Sequence, residues 1–275
     1  MEKIIVATDF SQTSDNALEY AIQLAKDIDA QILLFHTYQM PLNFTEEVAL
    51  TVDLEMLKKE TEEILKNQAD KLRAKWGVEI NYLTRLGIAS DEIIEEGKNA
   101  SFIVMGTYGS GKLARALIGS TALAVIKKSS TPVLLIPEHI IYKRPTKIAF
   151  ACDYNSKTDF LALNPLKQLT ELFHAQLLVM SVKERNEKVS IDEKTTAVKI
   201  DKKLAELDHR YYFVENEDLV EGINDFIKDK SPDMIAVIPH KYNLFESLVH
   251  ASATKKLANQ TTIPFLALPD IKAKK

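Results

Sequence analysis

The chain has 275 residues, 46% of them hydrophobic and 27% charged, with a formal net charge of −4. That balance suits one large folded domain or two ordinary ones and excludes a disordered polypeptide; eight glycines and nine prolines exclude a collagen-like or low-complexity chain. A single cysteine, Cys152, allows neither an intrachain disulfide nor a thiolate metal site and fits a reducing cytoplasm, while the slight acidity argues against a phosphate-backbone footprint on DNA or RNA.

The opening residues, Met1-Glu2-Lys3-Ile4-Ile5-Val6, run straight into a strand pattern, without the basic region, apolar stretch and cleavage site of an export signal. No apolar run nears the roughly 20 residues of a membrane-spanning helix. A cytoplasmic protein with no membrane and no nucleic-acid partner is therefore expected. In chain order, strands are predicted at Lys3 to Ala7, Gln31 to His36, Val78 to Leu83, Phe102 to Met105 and Val133 to Ile136, alternating with segments of helical period. The longest helix, from about Thr51 to Trp76, keeps Leu54, Leu57, Leu65, Ala69, Leu72 and Trp76 near one face, and Gly77 supplies its C-cap. Ser90, ahead of Asp91 and Glu92, reads as the N-cap of the next helix.

The pattern then repeats. Lys3-Ile4-Ile5-Val6-Ala7-Thr8-Asp9-Phe10 recurs as Lys147-Ile148-Ala149-Phe150-Ala151-Cys152-Asp153-Tyr154, Asp29-Ala30-Gln31 as His174-Ala175-Gln176, and Thr131-Pro132-Val133 as Ile263-Pro264-Phe265. The first domain is expected at 1–137 and the second at 146–275, joined by a partly apolar linker, 138–145, that should pack rather than dangle. Second-half strands are predicted at Lys147 to Ala151, Leu177 to Val182, Tyr211 to Val214, Met234 to Ile238 and Phe265 to Leu268, with Asn164-Pro165 restarting the first helix. Alternating strands and helices with right-handed crossovers predict an α/β fold: two parallel sheets with helices on both faces.

Ligands of open α/β sheets sit beyond the carboxyl ends of the strands. In the first half those positions hold Thr8 and Asp9, His36 and Thr37, Gly106-Thr107-Tyr108-Gly109, and Gly119-Ser120 at a helix start. Glycine lets a phosphate approach backbone N–H groups, and a helix N-terminus adds unpaired donors and the positive end of a dipole. The chemistry is that of an anion holder. His36 reads as a structural histidine with a backbone acceptor. No Walker A loop, dinucleotide fingerprint, metal set or nucleophile-base pair is present.

The spacing Gly, two residues, Gly, nine residues, Gly-Ser, met by Gly106, Gly109, Gly119 and Ser120, resembles the signature of the universal stress protein family, as does Ala7-Thr8-Asp9-Phe10-Ser11. The resemblance covers both halves. It implies two tandem flavodoxin- or Rossmann-like (adenine nucleotide alpha hydrolase-like) domains, each with a five-stranded parallel sheet, paired through their terminal strands as an internal pseudo-dimer, with a further homodimer left open. It also implies ATP in the first copy: Asp9 at the ribose, with Thr8 among the binding residues, the backbone at Thr37 on the adenine, Met105 near base or ribose, and Gly106, Gly109, Gly119 and Ser120 on the phosphates. Lys112 and Arg115 stand as further phosphate candidates. Tyr108 departs from the family pattern. In the second copy Ile238, Lys241 and Ala251 replace the three glycines, so one nucleotide site is expected per chain. A stress-response regulator or adaptor without dedicated catalysis follows, acting on unidentified protein partners. The alternatives are a scaffold that binds no nucleotide and a weak Mg²⁺-dependent ATPase holding the metal through the phosphates.

Overall fold

The computed structural model describes residues 2–39, 54–107, 118–152, 154, 160–183, 190–239 and 263–269. Its first half runs β1 (Glu2–Ala7), α1 (Gln12–Ile28), β2 (Ala30–Tyr38), α2 (Leu54–Trp76), β3 (Ile80–Leu86), α3 (Ala89–Gly97), β4 (Phe102–Gly106), α4 (Ser120–Lys128) and β5 (Val133–Ile136). The second runs β6 (Lys147–Ala151), α5 (Asn164–Phe173), β7 (Gln176–Lys183), α6 (Ile191–Leu204), β8 (His209–Glu215), α7 (Leu219–Lys230), β9 (Met234–Val237) and β10 (Phe265–Ala267). Every predicted strand is present. Most extend a residue or two beyond the apolar run, because a strand continues while its neighbour pairs with it: β2 reaches Tyr38 because β3 pairs with it as far as Leu86.

Among the described residues all ten strands lie in one sheet, ordered β3-β2-β1-β4-β5-β10-β9-β6-β7-β8. Pairing is parallel within each set of five, and the sets meet where β5 and β10 pair antiparallel, Leu134 opposite Leu266. The sheet has both faces covered, so its strands read as continuous apolar runs whose alternate residues enter different cores. Ile4, Val6, Ile32, Leu34, Ile148 and Phe150 join α1, α2, α5 and α6 on one face. Ile5, Ala7, Leu33, Phe35, Ala149 and Ala151 join α3, α4 and α7 on the other.

The linker packs as expected. Asn16 Nδ2 donates to the carbonyls of Pro137 (3.1 Å) and Ile140 (3.3 Å), and the Tyr142 hydroxyl donates to Asp27 Oδ2 at 2.6 Å. Gly77 ends α2 at φ 64°, its N–H on the Arg73 carbonyl. Two expected details change. Ser90 is not a cap: α3 begins at Ala89, Ile88 occupies the cap position without a side-chain bond, and the Ser90 hydroxyl lies inside the first turn. Leu54 is 39% exposed rather than in the core, being the first residue of α2. Near Pro165, a 3-10 turn (Phe160–Leu163) precedes α5, and the proline sits in the first helical turn, where its missing N–H costs no bond. The expected helix start at 51–53 lies outside the described residues.

Candidate functional site

The strand order reverses between β1, which leads outward to β2, and β4, which leads to β5. Beyond the carboxyl ends of those two strands lies the crevice in which a doubly wound sheet binds ligands. The β1–β2 ladder stops there for a visible reason. The Thr8 N–H donates to the Phe35 carbonyl at 2.9 Å, but the Thr8 carbonyl is occupied by His36 Nδ1 at 2.7 Å. The imidazole takes the acceptor that a further ladder step would use. In a parallel strand alternate residues aim both peptide groups at the same neighbour, so Thr37, like Phe35, turns its N–H and carbonyl toward β1, one step past the last pairing. His36 therefore has the backbone acceptor expected of a structural histidine, and it delivers the Thr37 peptide to the crevice.

The β1–α1 turn is built from its own hydroxyls and carboxylate. Asp9 Oδ1 accepts from Ser11 N (3.1 Å) and Ser11 Oγ (2.6 Å); Thr8 Oγ1 accepts from Phe10 N and lies 3.1 Å from Ser14 Oγ; Ser11 caps α1. This net holds Phe10 at φ 61° with its ring 4.5 Å from that of His36. Asp9 is thus a turn-former with an exposed carboxylate, and Thr8 is buried. In the first turn of α1, burial pushes the Asp15 carboxyl up, against the hydrogen bond from Gln68 Nε2 at 2.8 Å.

On the β4 side, Gly106 ends its strand against α1. A Cβ there would lie 2.8 Å from Thr13 Cγ2 and 3.0 Å from the Thr13 carbonyl oxygen, and Gly106 does not need a positive φ. Close packing of α1 requires this glycine, a reason that the sequence concealed because Thr13 carries no motif. Gly119 is the N-cap of α4 at φ −58°, its N–H closing the loop onto the Thr107 carbonyl at 2.8 Å. The helix it opens has no side-chain cap and no acidic residue in its first turn, while Lys127 and Lys128 lie in its last. Its first N–H groups, beside an exposed Ser120, form an N-terminus suited to an anion.

The structure brings Asp9, Thr37, Gly106, Gly119 and Ser120 to this one edge. It does not bring the Met105 side chain there: Met105 is buried in the α3/α4 core with Ile5 and Phe35. Gly109, Tyr108, Lys112 and Arg115 lie outside the described residues. Exposed apolar surface collects at the same end, on Phe10 (36%), Leu86 (44%) and Ile88 (62%). Among the described residues no group of three His, Cys, Asp or Glu side chains could hold a metal ion, and no helix is long and apolar enough to cross a membrane.

Among the described residues the second half lacks these arrangements. Ile4 pairs with Phe102 and Ile148 with Met234, so Ile238 stands at the Gly106 position, with its side chain buried. Ser181 replaces His36, and Val182 replaces Thr37. Val182 is packed by α7, whose Gly222 would place a Cβ 2.8 Å from Val182 Cγ1. Just beyond it, Lys183 Nζ meets Glu193 Oε1 at 2.6 Å, a pair only 12% and 3% exposed that ties β7 to the capping box of α6. Asp153, His240, Lys241, His250, Ala251 and Ser252 lie outside the described residues.

Comparison with known proteins agrees with this fold. Residues 1–137 match the universal stress protein family. The chain is 36% identical over 150 residues to Universal stress protein MJ0531 of Methanocaldococcus jannaschii, covering 53% of this chain and 84% of that protein. It belongs to the universal stress protein family. Universal stress protein YxiE of Bacillus subtilis is 30% identical over 150 residues, covering 49% of this chain and 97% of its own. A universal stress protein of Archaeoglobus fulgidus shares the fold over both halves, with a TM-score of 0.74 at 18% identity and 98% of each chain covered. This universal stress protein is thus a tandem α/β chain whose two fivefold parallel sets share one sheet.

Proposed function

We propose that the first half binds ATP in the crevice between β1 and β4, and that the protein acts as a nucleotide-dependent regulator or adaptor in the stress response, without dedicated catalysis. The observation that carries this reading is Thr37, its N–H and carbonyl released from the ladder by His36 at the sheet edge that also holds an uncapped, acid-free helix N-terminus. Adenine presents a donor beside an acceptor, which the carbonyl and N–H of the single residue Thr37 match, both turned to the same side of the strand. The exposed carboxylate of Asp9 suits ribose hydroxyls, and the first turn of α4 with Ser120 suits phosphate oxygens. Leu86, Ile88 and Phe10 offer the base an apolar surround. Gly106 would serve here by letting α1 close on the sheet, and Gly109 would serve as the family signature implies. Residues 1–137 are then the nucleotide-binding domain, 138–145 the linker and 146–275 a degenerate copy held as an internal pseudo-dimer through β5 and β10.

Gly119→Val tests the reading, because φ −58° accepts a side chain and the substitution fills space without straining the backbone. Calorimetric titration should find ATP binding in the wild type and its loss in the variant, with the melting profile retained. Unchanged ATP affinity in the variant would show the site to be misplaced. The structural explanation of Gly106 favours one rival, a scaffold that holds no nucleotide; finding no nucleotide released on denaturation and no ATP binding on titration would establish it. Any hydrolysis would be read by incubating the protein with Mg²⁺ and ATP.

A further inference from the structure

Among the described residues the ten-stranded sheet ends at β3 on one side and at β8 on the other. The two edges are unlike. The outer strand β3 exposes Asn81, Arg85 and Leu86, and the Arg85 guanidinium lies 3.9 Å from Glu96, so a charge guards it. The strand β8 carries its charges, Arg210 and Glu215, toward its ends, and between them an uncharged run, Tyr211-Tyr212-Phe213-Val214, that leaves Phe213 65% exposed. Among the described residues β8 pairs on one side only, with β7, and its four residues of high strand propensity offer the other side for strand addition.

The helix beside this edge has a matching surface. On α6, Ile191, Lys194, Val198 and Asp201 recur at helical spacing and form one stripe, with Ile191 82% and Val198 55% exposed. Asp201 fixes where that stripe lies. Its Oδ1 accepts from the Tyr211 hydroxyl at 3.1 Å and lies 3.2 Å from His209 Nε2, so the stripe is on the β8 flank of the helix. Phe213 belongs to the same face of the sheet, its ring 6.3 Å from that of Tyr154, which is in the α5/α6 core. An open strand, an exposed aromatic ring and an exposed aliphatic stripe therefore adjoin one another.

We propose that this surface joins two copies of the chain, β8 against β8 in antiparallel pairing about Tyr212. Opposite residues of an antiparallel pair share a face, so the register must pair residues of like parity. Centring it on Tyr212 sets Tyr211 against Phe213 of the second copy, and Phe213 against its Tyr211, covering both exposed rings. Charge agrees with this direction: Lys202, exposed beside Asp201 near the amino end of β8, meets Glu215 at the carboxyl end of the second copy's strand. The two α6 stripes then flank the shared aromatic row.

Sedimentation of the full chain tests the proposal independently of nucleotide binding. The wild type should sediment as a dimer. Phe213→Lys, at a position too exposed to hold up the fold, should raise the dimer Kd about tenfold or more while leaving the melting temperature and ATP affinity unchanged. Val198→Lys, on the neighbouring helix, should weaken the dimer in the same direction. A wild type that is monomeric throughout the micromolar range, or a dimer whose Kd neither substitution moves, overturns the proposal.

Discussion

Gly106 shows how one residue can satisfy two explanations. Its spacing from Gly109 and Gly119 reads as a phosphate-binding loop, yet in the structure the first demand on it comes from Thr13, whose methyl and carbonyl leave no room for a Cβ. We expect Gly106→Ala to lower stability by about 1–3 kcal/mol, as overpacking does, measured by urea unfolding without ligand. Adding Thr13→Ala should restore part of that loss, because it removes the methyl while leaving the carbonyl oxygen. The sequence made the glycine legible and hid its neighbour, since the contact joins positions far apart in the chain. His36 follows the same pattern. Its need for a backbone acceptor was legible, but the choice of the Thr8 carbonyl, and hence the release of Thr37, required the register of β1 on β2. The family resemblance implies Met105 near base or ribose; alternation along β4 turns its side chain into the core.

Among elements, strands were legible because two covered faces demand apolar residues at every position, as in Ile4-Ile5-Val6 and Leu134-Leu135-Ile136. Helix ends were less so. Gly77 declared the end of α2, whereas Ser90 looked like a cap but lies past the start of α3, because capping depends on a local φ/ψ that Ile88 adopts without help from its side chain. The entry to the second half depends on a carboxylate outside any motif. Asp233 accepts from Thr146 N (2.8 Å), Thr146 Oγ1 (2.9 Å), Lys147 N (3.0 Å) and Lys143 Nζ (3.0 Å), anchoring the linker to the start of β6. Burial alone would push this carboxyl up; the bonds from Thr146, Lys143 and Lys147 outweigh it and hold the group below the usual carboxylate range. A group depressed in the folded state stabilises above its unfolded pKa, and that contribution is lost as pH falls through the folded value. Asp233→Asn should therefore be less stable than wild type at neutral pH. The gap measured by urea unfolding should close as the pH is lowered below the ordinary aspartate value of 3.8.

At the scale of the whole molecule, length and repeat together make a two-part chain legible, and the antiparallel joint of β5 with β10 turns those parts into one continuous sheet. The halves have diverged where ligand chemistry would operate rather than where packing does. Cys152 repeats the ladder bond of Thr8, its N–H on the Met180 carbonyl at 2.8 Å, and the core rows match across the joint. At the crevice, Ile238, Ser181 and Val182 stand where the first half has Gly106, His36 and Thr37, and the buried Lys183–Glu193 pair closes the strand end beside them. We propose one nucleotide site per chain, in the first half. Titration of the purified, nucleotide-free protein with ATP measures it directly: the account predicts a stoichiometry of one per chain, and a stoichiometry of two, or no binding at all, would contradict it.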